Sequence, residues 1–547
     1  MGIFNNANPG TNYHRSRFTT SISNRMDYDC QFHQLVPVLK RFVLPGDVWR
    51  IGGDVLVRFQ PMLTPTLTPN NFRVRYFFVP LRLVEPDTEL ILTGSKDGHL
   101  YNGTLPMFDN FVDKADKVTA PNAYKLAKHS FWDYMNVPIG DYEPIKNDEC
   151  LPAAYYFKAY LRIVWDYYDD ENRGLLHSAY ADFDAAVQTH MKYALDLGCS
   201  YSYLKKDYFT SSLPWQLKAI SAPRIDVTGN ASFTPNYSGL WAGNIAQGDE
   251  MTIKGSVTNG ANPFNAENET TAHLSAFSNL INNKLNQTQN VNLTGIGFTA
   301  DDLRTMMAQT RIFERLARTG SRYTEYLRAN FGTAPADDTL QRAQYLGGWK
   351  VPIVTTEVLQ TAADGANPVG TMRGHGITRG GQSINTFYAK EFGVLFGLAE
   401  VTPDVQYTQG IPRQLTYKRR FDFFNPSLQH LSEQEVRNGE LFISFTDGLN
   451  DNTFGFQAYG NELRSYQNET VGDMRDSLSY WNQALQFANR PNLNSAFLNG
   501  NYHLGSFNRP FVVNGASAYP ILVQFYNRLD VYRPMVRYST PGLVDHL

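Results

Sequence analysis

The sequence predicts a mainly β protein: an antiparallel jelly roll, built as a β-sandwich or barrel, with long inserted loops and several helices on the connections. Strand patterns open the chain, strand patterns close it, and helix patterns lie between them. A sheet whose strands come from both ends of a sequence is typical of a sandwich or jelly roll that carries large insertions.

The opening strands follow residues 1–34, which we interpret as an irregular N-terminal arm. The stretch RFVLPGDVWRIGGDVLVRFQ has a turn at Pro45-Gly46-Asp47 and then alternates apolar with polar residues. In NFRVRYFFVPLRLV the alternation places Arg73 and Arg75 on one face and an apolar set on the other: Phe72, Val74, Tyr76 and Phe78. A period of two predicts antiparallel strands in both stretches.

Helix patterns fill the connections. CLPAAYYFKAYLRIVWDYYDDENR predicts an aromatic-rich amphipathic helix with Pro152 in its first turn. A second helix is predicted from a capping box at Thr299 and Asp302 to Gly320. A third, shorter helix is predicted to begin at Ser321 and to end at Gly332.

Residues 224–294 are rich in Asn, Thr, Ser and Gly and poor in charge, which predicts a long surface excursion. Beyond it, FYAKEFGVLFGLAEVTPDVQY, GELFISF and LVQFYNRLDVYRPM predict the closing strands. We therefore divide the chain into the arm, residues 1–34, and a single jelly-roll domain, residues 35–547. This domain carries insertions, including a variable surface protrusion at residues 224–294.

The composition favours a protein that meets partners over wide areas. Hydrophobic residues make up 42%, aromatic residues 14% and charged residues only 18% of the chain. Aromatic side chains are enriched at the buried centres of interfaces, although a large core explains the same composition equally well. With 49 Lys and Arg against 52 Asp and Glu, the formal charge is −3, so any contact with nucleic acid must be local.

The cysteines and the hydropathy pattern indicate the cellular compartment of the protein. The 3 cysteines are far apart without a CxxC pair, which argues against a disulfide framework or a zinc site and favours a reducing compartment. The N-terminus has no apolar signal core, and no run of 18 apolar residues occurs. We expect neither export by a signal peptide nor membrane insertion.

The sequence contains no complete match to the catalytic and metal-binding motifs that its segments partly resemble. The segments Gly381–Ile384 and Gly515–Ala518 begin like a nucleophile elbow but lack its second glycine, and GTMRGHGITRGG has no phosphate-loop context. Four acidic residues in a short run could suggest a cation site, but a solvated helix end is the favoured interpretation: Asp166, Asp169, Asp170 and Glu171. We predict no enzymatic activity, no metal site and no cofactor.

Several stretches together resemble one family. These are KDYFTSSLPWQ, DLRTMMAQTRIFERLARTGSRYTEYLRANFG, LQRAQYLGG, RRFDFFNPSLQHLSEQEV and the ending RPMVRYSTPGLVDHL. Their joint order resembles the major capsid protein of microviruses, and most of all its gokushovirus branch. AYLRIVWDYYDDEN and VLPGDVW fit as well. In the ending, Val536 and Arg537 depart from the family pattern.

The resemblance implies a jelly-roll subunit whose copies close into a T = 1 icosahedral shell around the circular single-stranded DNA of a bacteriophage. It implies a virion protein that is made and assembled in the cytoplasm of a bacterial host. The implied partners are further copies of itself, the DNA genome, a small basic DNA-binding virion protein and a receptor on the host surface. The insertion at residues 224–294 is then the projection expected to recognise the host.

Two sets of site residues follow. The cations of the arm are candidates to face DNA, although a solvated arm tied to a neighbouring subunit explains them equally well: Arg15, Arg17 and Arg25. An apolar chain terminus needs contacts to hold it, so we expect five tail residues to be anchored against the barrel or a neighbouring subunit: Tyr532, Met535, Tyr538, Pro541 and Leu543.

One function of another class stays open at this point. Jelly rolls also serve as scaffolds for lectins and glycosidases, so a glycan-binding or glycan-cleaving β-sandwich is the alternative. That alternative requires export, a monomer, and positioned carboxylates or aromatic pockets.

Overall fold

The computed structural model describes residues 17–93, 103–106, 125–141, 151–180, 182–191, 198–216, 218, 300–319, 322–337, 339–359, 372–428, 433–513, 518–535 and 537. The chain divides into two compact units. The first comprises Met1–Gln216 and Ala317–Leu547, and the second comprises Leu217–Leu316. The predicted protrusion, residues 224–294, lies outside the described residues.

Strands dominate the described part of the first unit. They are β1 (Phe18–Ser21), β2 (Asn24–Cys30), β3 (Val36–Val43), β4 (Val48–Phe59), β5 (Asn70–Pro80), β6 (Lys125–Leu126), β7 (Gly140–Asp141), β8 (Gln344–Ile353), β9 (Thr355–Leu359), β10 (Met372–Ser383), β11 (Phe387–Tyr388), β12 (Gly393–Pro403), β13 (Glu433–Arg437), β14 (Thr453–Ala458) and β15 (Ile521–Arg533). The predicted mainly β fold is confirmed.

The strands form two principal antiparallel sheets. The larger has the order β1-β15-β4-β10-β9, with β2 also paired to β15 and β11 to β4. The smaller has the order β3-β12-β5-β8. Both sheets interleave strands from early and late parts of the chain, as the sequence predicts for a sandwich of the jelly-roll class.

The two sheets pack face to face through aromatic side chains. The Phe525 ring of β15 lies 6.1 Å from Phe72 of β5 and stacks at 6.1 Å on Trp349 of β8. Gly53 of β4 lies directly over Phe525, where a Cβ would approach the ring to 2.5 Å, so this position has no room for a side chain. The even-numbered residues of β5 therefore form the core face, as the period of two predicts.

The other face of the smaller sheet is also covered. Phe77 of β5 packs against Tyr167 and Tyr168, at ring distances of 5.0 and 6.1 Å. The Tyr160 hydroxyl donates to the carbonyl of Leu35 at 3.1 Å. Because β12 is central in this sheet and covered on both faces, nearly all of its residues are buried, which explains its unbroken apolar run GVLFGLA.

Helices are mostly short. They are α1 (Thr88–Thr93), α2 (Phe131–Tyr134), α3 (Tyr155–Ile163), α4 (Leu175–Ala179), α5 (Phe183–Met191), α6 (Ala300–Thr319), α7 (Tyr323–Phe331), α8 (Asn438–Leu441), α9 (Ser495–Leu498) and α10 (Leu504–Phe507). A π-helical turn, Val164–Tyr168, continues α3. Short 3₁₀ turns occupy Leu81–Leu83, Arg413–Thr416, Pro426–Leu428, Asn461–Leu463, Gly472–Arg475, Ser479–Trp481 and Gly500–His503.

The predicted helices are present, with corrections at their ends. The aromatic-rich helix begins at Tyr155, three residues after Pro152. Helix α7 ends at Gly332 as predicted, with a left-handed φ of 70° that favours glycine. Its start is fixed at Arg322, whose backbone N–H donates to the Glu325 carboxylate at 3.3 Å.

Two sequence interpretations are wrong. GELFISF does not form a strand, because Asn438–Leu441 is a helical turn whose Glu440 carboxylate is buried against Arg413 at 3.1 Å. The arm is not irregular throughout, because Phe18–Ser21 and Asn24–Cys30 are strands that pair with β15. The turn predicted at Pro45-Gly46-Asp47 is confirmed between β3 and β4, with a φ of 89° at Gly46.

Candidate assembly and genome-contact surfaces

The structure brings part of the predicted arm beside the start of the predicted tail. Strand β1 pairs antiparallel with the end of β15, so that Phe18 lies opposite Arg533 and Thr19 opposite Tyr532. We call residues 17–21 and 531–535 the arm–tail seam. The sequence predicts both segments as contact sites without predicting that they are neighbours.

A buried ion pair anchors the seam to the sandwich. The Arg533 guanidinium donates to both carboxylate oxygens of Asp47, at 2.8 and 3.2 Å, and to the carbonyl of Phe42 at 3.3 Å. Its carbon lies 5.6 Å from the ring centre of Trp49. Asp47 is fully buried and also accepts from the Leu44 N–H at 3.0 Å. This bidentate geometry is the strong form of an ion pair and fixes the end of β15.

The predicted anchoring side chains of the seam remain largely on the surface of the isolated subunit. Tyr532 is 40% and Met535 45% exposed. The Arg17 guanidinium lies 5.6 Å from the ring centre of Tyr532, a cation–π contact that orders the arm at this point. Arg15, Tyr538, Pro541 and Leu543 lie outside the described residues.

Arg25 is separate from the seam. It lies on β2, where its guanidinium pairs with Asp27 at 3.1 Å, and both side chains are more than half exposed. An exposed pair of this kind contributes about 0–1 kcal/mol and leaves the guanidinium accessible. The roles predicted for these arm and tail residues stay predictions.

Sequence reasoning missed a basic and aromatic surface at residues 417–424, which we call the basic–aromatic segment. Backbone N–H groups of Lys418 and Arg419 donate to the Asp422 carboxylate at 2.8 and 2.7 Å, and these bonds lower the pKa of Asp422. Arg420 lies 6.0 Å from the ring centre of Phe421, which is exposed. The sequence signal for this surface is the run KRRFDFF, in which three cations directly precede three aromatic rings.

The cations of the basic–aromatic segment are exposed. Within the part of the chain that the structure describes, Lys418, Arg419 and Arg420 have no carboxylate partner within salt-bridge distance. Phe421 and Phe423 present exposed rings beside them, and Phe424 stacks on Tyr459 at 5.5 Å. Cations beside exposed rings are the combination that single-stranded nucleic acid requires, for phosphate and base respectively.

The acidic run after α3 is a buried hub, which corrects the predicted solvated helix end. Asp169 accepts from the backbone N–H groups of Leu176 and His177 at 3.1 and 2.8 Å, from the His177 ring at 2.7 Å, and from the Tyr203 hydroxyl. Burial raises the pKa of Asp170, but Lys206 and Arg173 outweigh it and hold that pKa well below its usual range. Internal donors thus satisfy both carboxylates, and the hub is structural.

Among the described residues, no group of three or more His, Cys, Asp or Glu side chains is arranged to hold a metal ion. In that same part of the chain, no helix combines the length and the apolar character needed to cross a bilayer.

Comparison with known proteins identifies the family. The model of the capsid protein (F protein) family matches residues 8–543. The chain belongs to this family. Capsid protein VP1 of Chlamydia phage 1 is 27% identical over 595 residues, covering 98% of this chain and 96% of that protein. VP1 of Bdellovibrio phage phiMH2K is 27% identical over 562 residues, with coverages of 98% and 96%. VP1 of Spiroplasma virus 4 is 27% identical over 539 residues, with coverages of 93% and 92%.

Family membership decides between the two functions that the sequence left open. The molecule is a bacteriophage capsid protein of the microvirus type, a structural component of the virion, and the predicted resemblance is confirmed. As a capsid subunit it assembles with its own copies, and it is not an enzyme. The glycan-directed alternative is therefore set aside, and the half-exposed seam is a surface of a subunit that has neighbours.

Proposed function

We propose that this capsid protein closes with its own copies into a T = 1 icosahedral shell around a circular single-stranded DNA genome. The family match over residues 8–543 carries the proposal. Residues 35–547 act in it as one jelly-roll domain with insertions, and residues 1–34 act as an arm. Purified full-length protein, examined by analytical ultracentrifugation and cryo-electron microscopy, should yield uniform spherical particles. Protein that stays monomeric under all assembly conditions would contradict the proposal.

The arm–tail seam is proposed as one contact between subunits, since its apolar side chains are ordered yet exposed. The experiment must keep Arg533, because a chain stopped at Asp530 would leave Asp47 as a buried unpaired carboxylate, at a cost of about 3–5 kcal/mol. A variant with Tyr532 and Met535 both replaced by Ser retains that pair and removes the exposed apolar side chains of the seam. It should unfold like the full chain but fail to form particles, whereas normal particles would show that the seam is not a contact between subunits.

The genome is proposed to contact local cationic surfaces. Arg15, Arg17 and Arg25 are candidates, and the basic–aromatic segment joins them because its three cations and the rings of Phe421 and Phe423 are exposed. Since the chain carries a formal charge of −3, most neutralising charge should come from a small basic virion protein. Purified capsid protein alone should bind single-stranded DNA weakly, and most of this binding should be lost at about 150 mM salt, where charges are screened beyond about 8 Å.

Matched variants separate the two surfaces. Replacement of Lys418, Arg419 and Arg420 by Gln should reduce the slope of log affinity against log salt by about 2, since each lost phosphate contact accounts for about 0.7. The control replaces Arg17 and Arg25 by Gln. A larger loss in that control, with the triple variant unchanged, would return the DNA contact to the arm.

Residues 224–294 are proposed to form a variable protrusion that meets a receptor on the host surface. Their low charge and turn-rich composition support this, because long surface insertions cost little loop entropy. Replacing the segment with a short Gly-Ser linker should leave a folded subunit whose particles no longer adsorb to host cells. An insoluble product would assign the segment to the core instead.

A further inference from the structure

One phenylalanine of the described surface is almost wholly in solvent. Phe445 is 96% exposed, on the loop between α8 and β14. Aromatic side chains are large anchors when they enter a pocket of a partner. In a capsid subunit, a partner for such a side chain is available in the next copy.

Side-chain hydrogen bonds order the loop that carries Phe445. The Asn450 side chain accepts from the Ser444 N–H at 2.9 Å and donates back to the Ser444 carbonyl at 2.7 Å. Arg490 donates to Asp447 and to Asn450 at 2.7 and 3.0 Å. Because the loop is already ordered, little conformational entropy remains to be lost when its tip is bound.

The same subunit presents a cleft of matching chemistry, which we call the Tyr407 cleft. Its floor is Phe209 and Tyr407, which are buried and packed edge to face at 4.9 Å. Its rim is open and mixed: Leu415, Tyr466 and Val471 are 76%, 66% and 61% exposed, and Gln414, Asn468, Glu469 and Arg475 stand beside them. The Tyr407 hydroxyl donates to Asp207 at 2.6 Å, which fixes the floor.

The cleft is large enough for a phenyl ring. Its volume is about 240 Å³, and an apolar protein cavity of about 150 Å³ accepts benzene. Phe445 does not line the cleft of its own subunit. A knob and a cleft at separate places on one chain make a head-to-tail contact, in which each subunit uses its knob on one neighbour and its cleft on another.

We propose that Phe445 of one copy inserts into the Tyr407 cleft of the next copy and forms a directional contact of the capsid. The inference rests on the proposed self-assembly. It follows from the exposure of Phe445, the ordered loop, and the size and aromatic floor of the cleft. A contact of this kind repeats around a symmetry axis until the ring closes.

The test is site-directed cross-linking of the full-length protein during assembly. Phe445→Cys and Val471→Cys are made singly and together and are treated with a short bismaleimide. Wild-type protein is the control for the native thiols, of which Cys30 and Cys199 are buried. A mixture of the two single variants should give cross-linked dimers, and the double variant should give a ladder of higher oligomers.

Three outcomes would overturn the proposal. One is the absence of cross-links although particles form, which would mean that Phe445 meets another virion protein, a host molecule or solvent. Another is cross-linking of Phe445→Cys with itself, which would indicate a two-fold contact between knobs. The third is normal assembly of a Phe445→Ser variant. We expect this variant to need roughly tenfold more protein for assembly, and Phe445→Leu to stay near wild type. Failure of wild-type protein to assemble would instead count against the proposed function.

Discussion

The sandwich and the loop-rich region at residues 404–513 are stabilised in different ways. In the sandwich, long strands such as β4 and β15 pair over 12 positions and bury a continuous aromatic core. Among its described residues, the loop-rich region has two short strands, β13 and β14, between single helical turns. Side-chain bonds to backbone groups hold it, such as the exchange between Gln409 and Phe487 at 2.9 and 2.7 Å.

The difference concerns where apolar side chains go. The sandwich buries them within one chain, whereas the loop-rich region exposes Leu415, Phe421, Phe445 and Tyr466. In a capsid subunit, exposed apolar side chains of this kind are candidates for contact with neighbouring subunits. We therefore expect the sandwich to provide most of the stability of the single subunit, and the loop-rich region to add contact surface to the arm–tail seam.

The largest loss of stability is expected from a substitution in the sandwich core. Phe525→Ala removes a ring that contacts Phe72 and Trp349, so the free energy of unfolding should fall by about 3–5 kcal/mol. Urea denaturation of subunits under non-assembling conditions measures it. Phe421→Ala, at an exposed ring of the loop-rich region, is the matched control and should change stability by less than about 0.5 kcal/mol. Equal losses would abolish the distinction between the two regions.

A smaller loss of stability is expected when side-chain hydrogen bonds of the loop-rich region are removed. Arg509 donates to the carbonyls of Ser479, Asn482 and Ala484, at 2.9, 3.2 and 3.1 Å. Arg509→Met should cost about 2–3 kcal/mol, since hydrogen bonds from a charged group are lost and buried carbonyls become unpaired. Limited proteolysis should then cut residues 404–513 first. Full rescue by Arg509→Lys would contradict this account, because a single ammonium cannot reach the same carbonyls.

The sequence predicts the sandwich well because its signal is local. The alternation from Phe72 to Phe78 needs only a few consecutive residues to be recognised. The Asp47–Arg533 pair joins residues 486 positions apart, so local patterns identify Asp47 only as part of a turn. Likewise, GELFISF is a short apolar run of the kind found in strands, but Arg413 and Tyr208, which are distant in sequence, bind its buried Glu440 in a helical turn.

The surfaces were less predictable for a related reason. Exposure of Phe445 depends on contacts of Asn450 and Arg490, which sequence alone does not bring together. Nothing in the local pattern distinguishes an apolar residue that is buried in its own chain from one that a neighbouring subunit covers. The arm and tail were predicted as separate sites because their pairing is visible only in the register of β1 and β15.

Low pH should reduce the free energy of unfolding through His33, which lies where the sandwich meets the loop-rich region. The backbone N–H of His33 donates to the carbonyl of Val401 on β12 at 2.8 Å, and the His33 ring lies 5.3 Å from the ring of Phe507 in the loop-rich region. Burial, with smaller contributions from His503 and Arg73, lowers the pKa of His33 to about 3. The unfolded chain therefore binds this proton first as pH falls. The contribution of neutral His33 to the free energy of unfolding is therefore fully present above about pH 6.5. It is lost as the pH falls from about 6.5 to 3, and the loss reaches about 2 kcal/mol at pH 5.

The measurement is thermal unfolding between pH 4 and 8, on wild type and His33→Asn. Asn tolerates the left-handed φ of 62° at this position. The variant should lose stability at neutral pH, where the contacts of the ring are missing, but should show a flatter profile below pH 6.5. His503, whose pKa burial also lowers, should leave a residual slope. An unchanged profile in the variant would assign the acid sensitivity to other groups.

The smallest effect on stability is expected at the Phe445 loop. Asn450→Ala removes both side-chain bonds to Ser444, but the loop is exposed and water replaces them, so the free energy of unfolding should change by less than about 1 kcal/mol. Hydrogen exchange of the amides at residues 444–447 should nevertheless become at least about tenfold faster, since local opening needs only these bonds to break. Exchange in β4 and β15 should stay the same. Unchanged exchange at residues 444–447 would mean that other contacts order the loop, whereas a large global loss would place Asn450 among residues that support the sandwich.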